Sequence, residues 1–102
     1  MKNIVISGRA EEINNLQHEF KEQGLEFDLK EKKELFLPSP YKEIIIALTP
    51  ILVNILYKYL KKTPETEINI KVDNIEMELT TETIKKLNLK LESKESTQEF
   101  TS

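Results

Sequence analysis

The sequence predicts an α+β fold, a two-layer sandwich in which a roughly four-stranded, mostly antiparallel sheet is packed by an amphipathic helix and one long apolar helix. Two observations predict it. Apolar and charged residues alternate in short runs, which is the period-2 pattern of half-buried strands. Between these runs, apolar residues recur at spacings of three and four, which is typical of helices. A chain of 102 residues is long enough for one modest core.

The first half of the chain predicts a strand, a helix and a second strand. A β-branched run places the first strand near residues 3–7. An amphipathic helix follows from Ala10 to Gln23, and Gly24 ends it. Alternating residues then place the second strand near 25–30. The charged segment 31–34 is expected to form a turn or an exposed edge, before a short apolar segment at 35–37.

The clearest local pattern is a hairpin with strands near residues 67–72 and 75–80. Only Asp73 and Asn74 separate the two runs, and both residue types tolerate the positive φ of a primed turn. Closing this turn predicts a register in which Val72 lies opposite Ile75 and Lys71 lies opposite Glu76. Thr80 or Thr81 is expected to cap a short helix through about Leu87. We expect a single domain over residues 1–91 and a disordered tail over 92–102.

The apolar stretch from Tyr41 to Lys62 allows two structures. Ser39 and Thr49 each precede a proline, so a helix can begin at Pro40 or at Pro50. If it begins at Pro50, residues 43–48 form a strand. Helical steps of three and four align one polar stripe that includes Pro50, which favours a single curved helix over 40–62. The stripe consists of Glu43, Ala47, Pro50, Asn54, Lys58 and Lys61.

The surface of this predicted helix must be covered by the protein's own core, by a partner protein or by a membrane. One small sheet is too narrow to cover all of it, so we expect part of the helix to meet another protein. The alternative is a membrane-associated protein anchored by residues 44–60, which the polar stripe disfavours. The predicted interface residues are Ile45, Leu48, Leu52, Ile55, Leu56 and Tyr59.

Composition argues against several other functions. With 15 basic and 18 acidic residues, the chain has a net charge of −3 and no basic stripe, so direct nucleic-acid binding is not expected. No cysteine is present, and the only histidine, His18, is expected at the surface of the first helix. No metal or cofactor motif occurs, so we expect a protein that is not an enzyme. The first residues lack a signal peptide's apolar run, which favours a cytoplasmic location.

The order of elements resembles a known family. The resemblance lies in the first strand IVISG, the extended segment FDLKE, the apolar run IIIALTPIL and the hairpin EINIKVDNIEMEL. Together they are similar to the effector-associated constant component family of bacterial conflict systems. The resemblance implies a small α+β adaptor that couples a larger effector, such as a peptidase, nuclease or NTPase, to a sensor in antiviral defence. The resemblance implies no catalytic residues. The uncovered apolar surface of the predicted helix separately allows a homo-oligomer, in which a second copy of the chain covers it.

Overall fold

The computed structural model describes the backbone of residues 2–33 and 38–101, and the side chains of residues 2–30 and 40–92. Within these residues the chain forms five strands and three helices. In chain order they are β1 (Asn3–Arg9), α1 (Ala10–Glu22), β2 (Phe27–Lys33), β3 (Pro38–Ala47), α2 (Pro50–Lys62), β4 (Asn69–Val72), β5 (Ile75–Glu78) and α3 (Thr81–Thr101). The apolar segment expected at 35–37 lies outside the described residues.

The strands form one antiparallel sheet in the order β2-β3-β1-β4-β5. The first six elements make a β-α-β-β-α-β unit in which β1 and β3 lie at the centre, the split βαβ arrangement of ferredoxin-like folds. The predicted α+β class with a mostly antiparallel sheet is therefore confirmed. The sheet has five strands rather than four, because residues Pro38–Ala47, most of which were expected in the long helix, form the additional strand β3.

Helix α1 ends as the sequence predicts. Gly24 has a φ of 72°, and its amide donates to the Lys21 carbonyl, while the amide of Leu25 donates to the Phe20 carbonyl at 2.9 Å. This pair of hydrogen bonds is a Schellman motif, and it needs a left-handed residue that glycine supplies without strain. Phe20 is fully buried and meets Phe27 edge-on, with ring centroids 5.9 Å apart. The end of α1 is thereby tied to the start of β2.

The hairpin prediction is confirmed in turn and in register. Asp73 and Asn74 have φ angles of 52° and 66°, as a type I′ turn requires. The pairs are Asn69 with Glu78, Ile70 with Met77, Lys71 with Glu76 and Val72 with Ile75. Thr80 is the residue that caps α3, because its hydroxyl accepts from the Thr83 amide at 3.3 Å.

The prediction of a single helix over 40–62 is wrong. Residues Pro38–Ala47 form strand β3, and α2 begins at Pro50, with the Thr49 hydroxyl accepting from the Leu52 amide at 3.2 Å. Pairing with distant segments of the chain explains why residues 38–47 form a strand. As a strand, this segment pairs with β1 at seven positions and with β2 on its other side, so its backbone groups bond across the sheet. Residues 44–60 are thus divided between two elements, and no helix in the described part is long and apolar enough to cross a membrane.

One face of the sheet carries all three helices, and the core lies between the two layers. From the sheet it takes alternate residues such as Ile4, Ile6, Ile44 and Ile70, all fully buried. The helices contribute Ile13, Leu16, Phe20, Leu52, Val53, Ile55, Leu56, Ile84 and Leu87. Helix α3 continues to Thr101, beyond the expected end near Leu87 and into the range expected to be disordered. The domain limits at residues 91 and 92 stay a prediction.

Candidate protein-binding surfaces

The six predicted interface residues separate into two groups. Leu48, Leu52, Ile55 and Leu56 are at most 6% exposed and belong to the core. Two others keep part of their surface: Ile45 is half-buried on the face of the sheet without helices, and Tyr59 is half-buried between α1 and α2. Because the 13-residue α2 already buries its apolar side inside the chain, its solvent side is the part that is free to meet a partner.

Tyr59 belongs to a hydrogen-bonded cluster centred on Glu12 of α1. The Glu12 carboxylate accepts from the Tyr59 hydroxyl at 3.2 Å, from the Thr66 hydroxyl at 2.6 Å and from the Glu67 amide at 3.3 Å. Burial raises the pKa of the Tyr59 hydroxyl above its ordinary value, and the nearby Glu12 charge raises it further. The cluster joins α1, α2 and the approach to β4, so its visible role is to position these elements.

A groove on the other side of α2 carries exposed apolar surface. It has a volume of about 410 Å³ and is called the α2 groove here; it is lined by Tyr57, Leu60, Lys61, Pro64, Leu79, Thr80 and Thr81. Leu79 forms its buried floor, Leu60 is half-buried, and the Tyr57 side chain keeps 38% of its surface exposed. The groove therefore joins the end of α2 to the start of α3 across a partly open apolar strip.

Positive charge borders this strip. The Lys61 ammonium lies 4.8 Å from the centroid of the Tyr57 ring, within the range of a cation–π contact. Lys61 therefore places a positive charge at the rim of the groove, on a chain whose net charge is −3, whereas the adjacent Lys62 lines the other side of α2. Tyrosine is among the residue types enriched at the centres of protein interfaces, whereas lysine is depleted there and suits the polar rim.

The second candidate surface is the sheet face opposite the helices, called the open sheet face here. Its central row, read across the strands from β2 to β5, consists of Asp28, Ile45, Val5, Lys71 and Glu76. Val5 and Ile45 are half-buried and lie directly opposite each other at the middle of the sheet, whereas Asp28 and Lys71 are exposed. The row is therefore apolar at its centre and charged on both sides.

Among the residues whose side chains are described, no cluster of three or more potential metal ligands occurs. His18 is exposed on α1, as predicted, with its Nε2 atom 3.0 Å from Glu22 Oε1. Arg9 ends strand β1, and its Nε atom pairs with Glu67 Oε2 at 3.2 Å.

No family model matches the chain, and no curated protein matches it.

Of the residues that form the two surfaces, only Ile45 is among the interface residues predicted from the sequence. Tyr57, Leu60 and Pro64 belong to the groove only because Leu79 approaches from the hairpin, a contact between segments about twenty residues apart. In the sequence, Val5 is one of three consecutive apolar residues. This run hides the alternation of the strand, in which Ile4 and Ile6 face the core and Val5 faces the other side of the sheet. Asp28 and Lys71 lie far apart in the sequence, and only the strand order shows that these opposite charges stand on either side of the two central strands.

Proposed function

We propose that this protein is a non-enzymatic adaptor or accessory subunit that binds a larger protein through the α2 groove. The observation that carries the proposal is the exposure of Tyr57 beside Leu60 and Pro64, over a buried floor made by Leu79. Side chains of this kind, grouped in one concavity, gain free energy when a partner excludes water from them. The core already contains Leu52, Val53, Ile55 and Leu56 of α2, so Tyr57 and Leu60 at the groove are among the apolar side chains of the helix that remain available to a partner.

The positive charge at the rim of the α2 groove indicates that the partner carries a negative charge there. The Lys61 ammonium lies over the Tyr57 ring, so a carboxylate of the partner would pair with that ammonium. The matching ligand is a protein segment that seats an apolar side chain between Tyr57 and Leu79 and carries an Asp or Glu nearby. Electrostatic complementarity of this type favours specificity and fast association more than raw affinity.

The family resemblance supports the biological setting of this proposal. It favours a larger effector of a bacterial defence system, such as a peptidase, nuclease or NTPase, as the protein that carries the matching segment. A cytoplasmic location belongs to the same proposal. The proteins encoded next to this chain are therefore the first binding partners to test.

The experiment measures binding of the purified chain to each protein encoded beside it, by isothermal titration calorimetry. We expect one of them to bind, and Tyr57→Ala and Lys61→Glu each to weaken that binding at least about tenfold, as truncation of a central contact does. Lys58→Glu is the matched control. It makes the same charge change on the same helix but lines the other side of α2, with Asn54 and Tyr59.

Two outcomes would overturn the proposal. Binding that Lys61→Glu and Lys58→Glu weaken equally would remove the α2 groove as the docking site. Absence of binding to every neighbouring product at about 100 μM, a concentration that detects even weak complexes, would remove the adaptor role. Circular dichroism of each variant verifies that it is folded.

A further inference from the structure

We infer that the open sheet face binds a second copy of this chain, in a face-to-face dimer whose two-fold axis runs parallel to the strands. This goes beyond the adaptor role, because it concerns the other face of the sheet and none of the residues of the α2 groove. The inference rests on the order of charges across the sheet.

The central row of the face is nearly self-complementary. Ile45 and Val5 occupy the two central strands, Asp28 lies one strand outward on β2, and Lys71 lies one strand outward on β4. An anionic and a cationic residue therefore stand at equal distances on either side of an apolar pair. Within the part of the chain whose side chains are described, neither Asp28 nor Lys71 has an ion-pair or hydrogen-bond partner.

Symmetry decides how two such faces can meet. If the two-fold axis runs parallel to the strands, through the midpoint of Val5 and Ile45, it places Asp28 of each copy over Lys71 of the other. It also places Ile45 over Val5. An axis perpendicular to the strands would place Asp28 over Asp28 and Lys71 over Lys71, which like-charge repulsion disfavours. The charges thus select the first arrangement; both arrangements keep the strands of the two copies aligned, as twisted sheets prefer.

The next row along the strands agrees with this choice. It consists of Lys30, Glu43, Ser7, Asn69 and Glu78. The same axis sets Lys30 over Asn69 and Glu43 over Ser7, so no like charges meet. Glu78, like Glu76 in the central row, belongs to the edge strand β5 and falls outside the four strands that overlap. Water screens such rim charges.

The size of the face indicates a weak dimer. Four strands at about 4.8 Å span about 19 Å, and the seven residues of β1 at about 3.3 Å span about 23 Å. The resulting planar area of about 400 Å² per copy is half of the roughly 800 Å² that a standard specific interface buries on each partner, and lies in the range of weak, transient complexes. We therefore expect a dissociation constant of tens to hundreds of micromolar, with the monomer predominant in dilute solution.

A charge-exchange experiment tests the arrangement by sedimentation equilibrium, from about 10 μM to about 1 mM protein. Asp28→Lys or Lys71→Glu alone brings like charges together twice in each dimer, so each should weaken dimerisation about tenfold. The double variant Asp28→Lys with Lys71→Glu restores opposite charges and should restore the dimer. Glu76→Lys, in the same row but outside the overlap, is the control and should change dimerisation less than about threefold.

The outcomes are distinct from those that test the α2 groove. A wild-type chain that remains monomeric at about 1 mM overturns the inference. A dimer that neither single variant weakens, or that the double variant fails to restore, also overturns it, because the copies then meet elsewhere. Thermal melting of each single variant verifies that the monomer is folded, and both substitutions lie at exposed positions.

Discussion

The Lys90 ammonium of α3 lies 2.7 Å from the Asp73 carboxylate in the turn between β4 and β5. Lys2, which precedes β1, reaches the same oxygen at 2.9 Å. One carboxylate therefore links three segments that are distant in sequence. These hydrogen bonds hold the pKa of Asp73 below its ordinary value; the bond from Lys90 has the larger effect and the bond from Lys2 the second largest.

The first prediction concerns this carboxylate and pH. Because its pKa is lowered in the folded state, the ionised group stabilises the fold above its unfolded pKa of about 3.9, and this contribution is lost as the pH falls through the lower folded value. Asp73→Asn keeps a residue that tolerates positive φ but removes the charge. Urea unfolding should therefore find the variant less stable than wild type at neutral pH, with the difference vanishing in strong acid. An equal difference at both pH values would mean that the turn, not the charge, is responsible.

The second prediction concerns the Glu12 cluster. Glu12→Ala removes the acceptor of the Tyr59 and Thr66 hydroxyls and of a backbone amide, so it should cost about 1–3 kcal/mol of the free energy of unfolding. Glu11→Ala, one residue earlier on the exposed side of α1, is the control and should cost less than about 0.5 kcal/mol. Equal losses in the two variants would show that helix electrostatics, which they share, is the cause.

The same cluster predicts an alkaline effect. The pKa of Tyr59 is raised in the folded state, so its contribution to stability is complete below the unfolded pKa of about 10 and is lost as the pH rises through the raised value. Ultraviolet titration should find one tyrosine that ionises later than the others. In Glu12→Ala that tyrosine should ionise earlier than in wild type, because the neighbouring negative charge is gone. A late tyrosine that does not respond to Glu12→Ala would contradict the assignment.

The third prediction separates core from surface on α2. Leu56 is fully buried, so Leu56→Ala should lower the free energy of unfolding by about 2–5 kcal/mol. Ile51, on the same helix, is 51% exposed, and Ile51→Ala should change it by less than about 1 kcal/mol. Chemical denaturation measures both. If Leu56→Ala weakened partner binding without loss of stability, Leu56 would be an interface residue rather than a core residue.

The fourth prediction concerns the hairpin turn. Asn74 has a φ of 66°, which glycine adopts at lower cost than any other residue. Asn74→Gly should therefore leave the protein equally stable or stabilise it by up to about 0.5–1 kcal/mol, whereas Asn74→Ala should destabilise it by about 1 kcal/mol. Thermal unfolding of the two variants gives the comparison. A more stable alanine variant would contradict a type I′ turn.

Local patterns were sufficient for the hairpin and for α1. In the hairpin, the alternation, the Asp73-Asn74 turn and the charge pairing all pointed to one register, and that register forms. At α1, the spacing of Ile13, Leu16 and Phe20 and the position of Gly24 fixed the buried side and the end of the helix.

The same reasoning failed where a segment's partners lie far away. The run Ile44 to Ile46 is apolar on both sides, so it shows neither the period of a strand nor that of a helix. The polar stripe that favoured a helix joins Glu43 and Ala47 of a strand to residues of α2, so its alignment was accidental. The segment forms a strand because it pairs with β1, which lies some forty residues earlier in the chain. The candidate surfaces were hidden for the same reason.

The position of β1 between β3 and β4 has a consequence for synthesis. β1 pairs with β3 at seven positions and with β4 at three, so its second edge is bare until Asn69–Val72 arrives. A nascent chain that has left the ribosome only as far as α2 therefore carries an unfinished central strand, and exposed strand edges are templates for aggregation. A product that terminates in α2 would keep this edge of β1 exposed. The last third of the chain therefore protects the protein from aggregation, because it supplies the strand β4 that covers the edge.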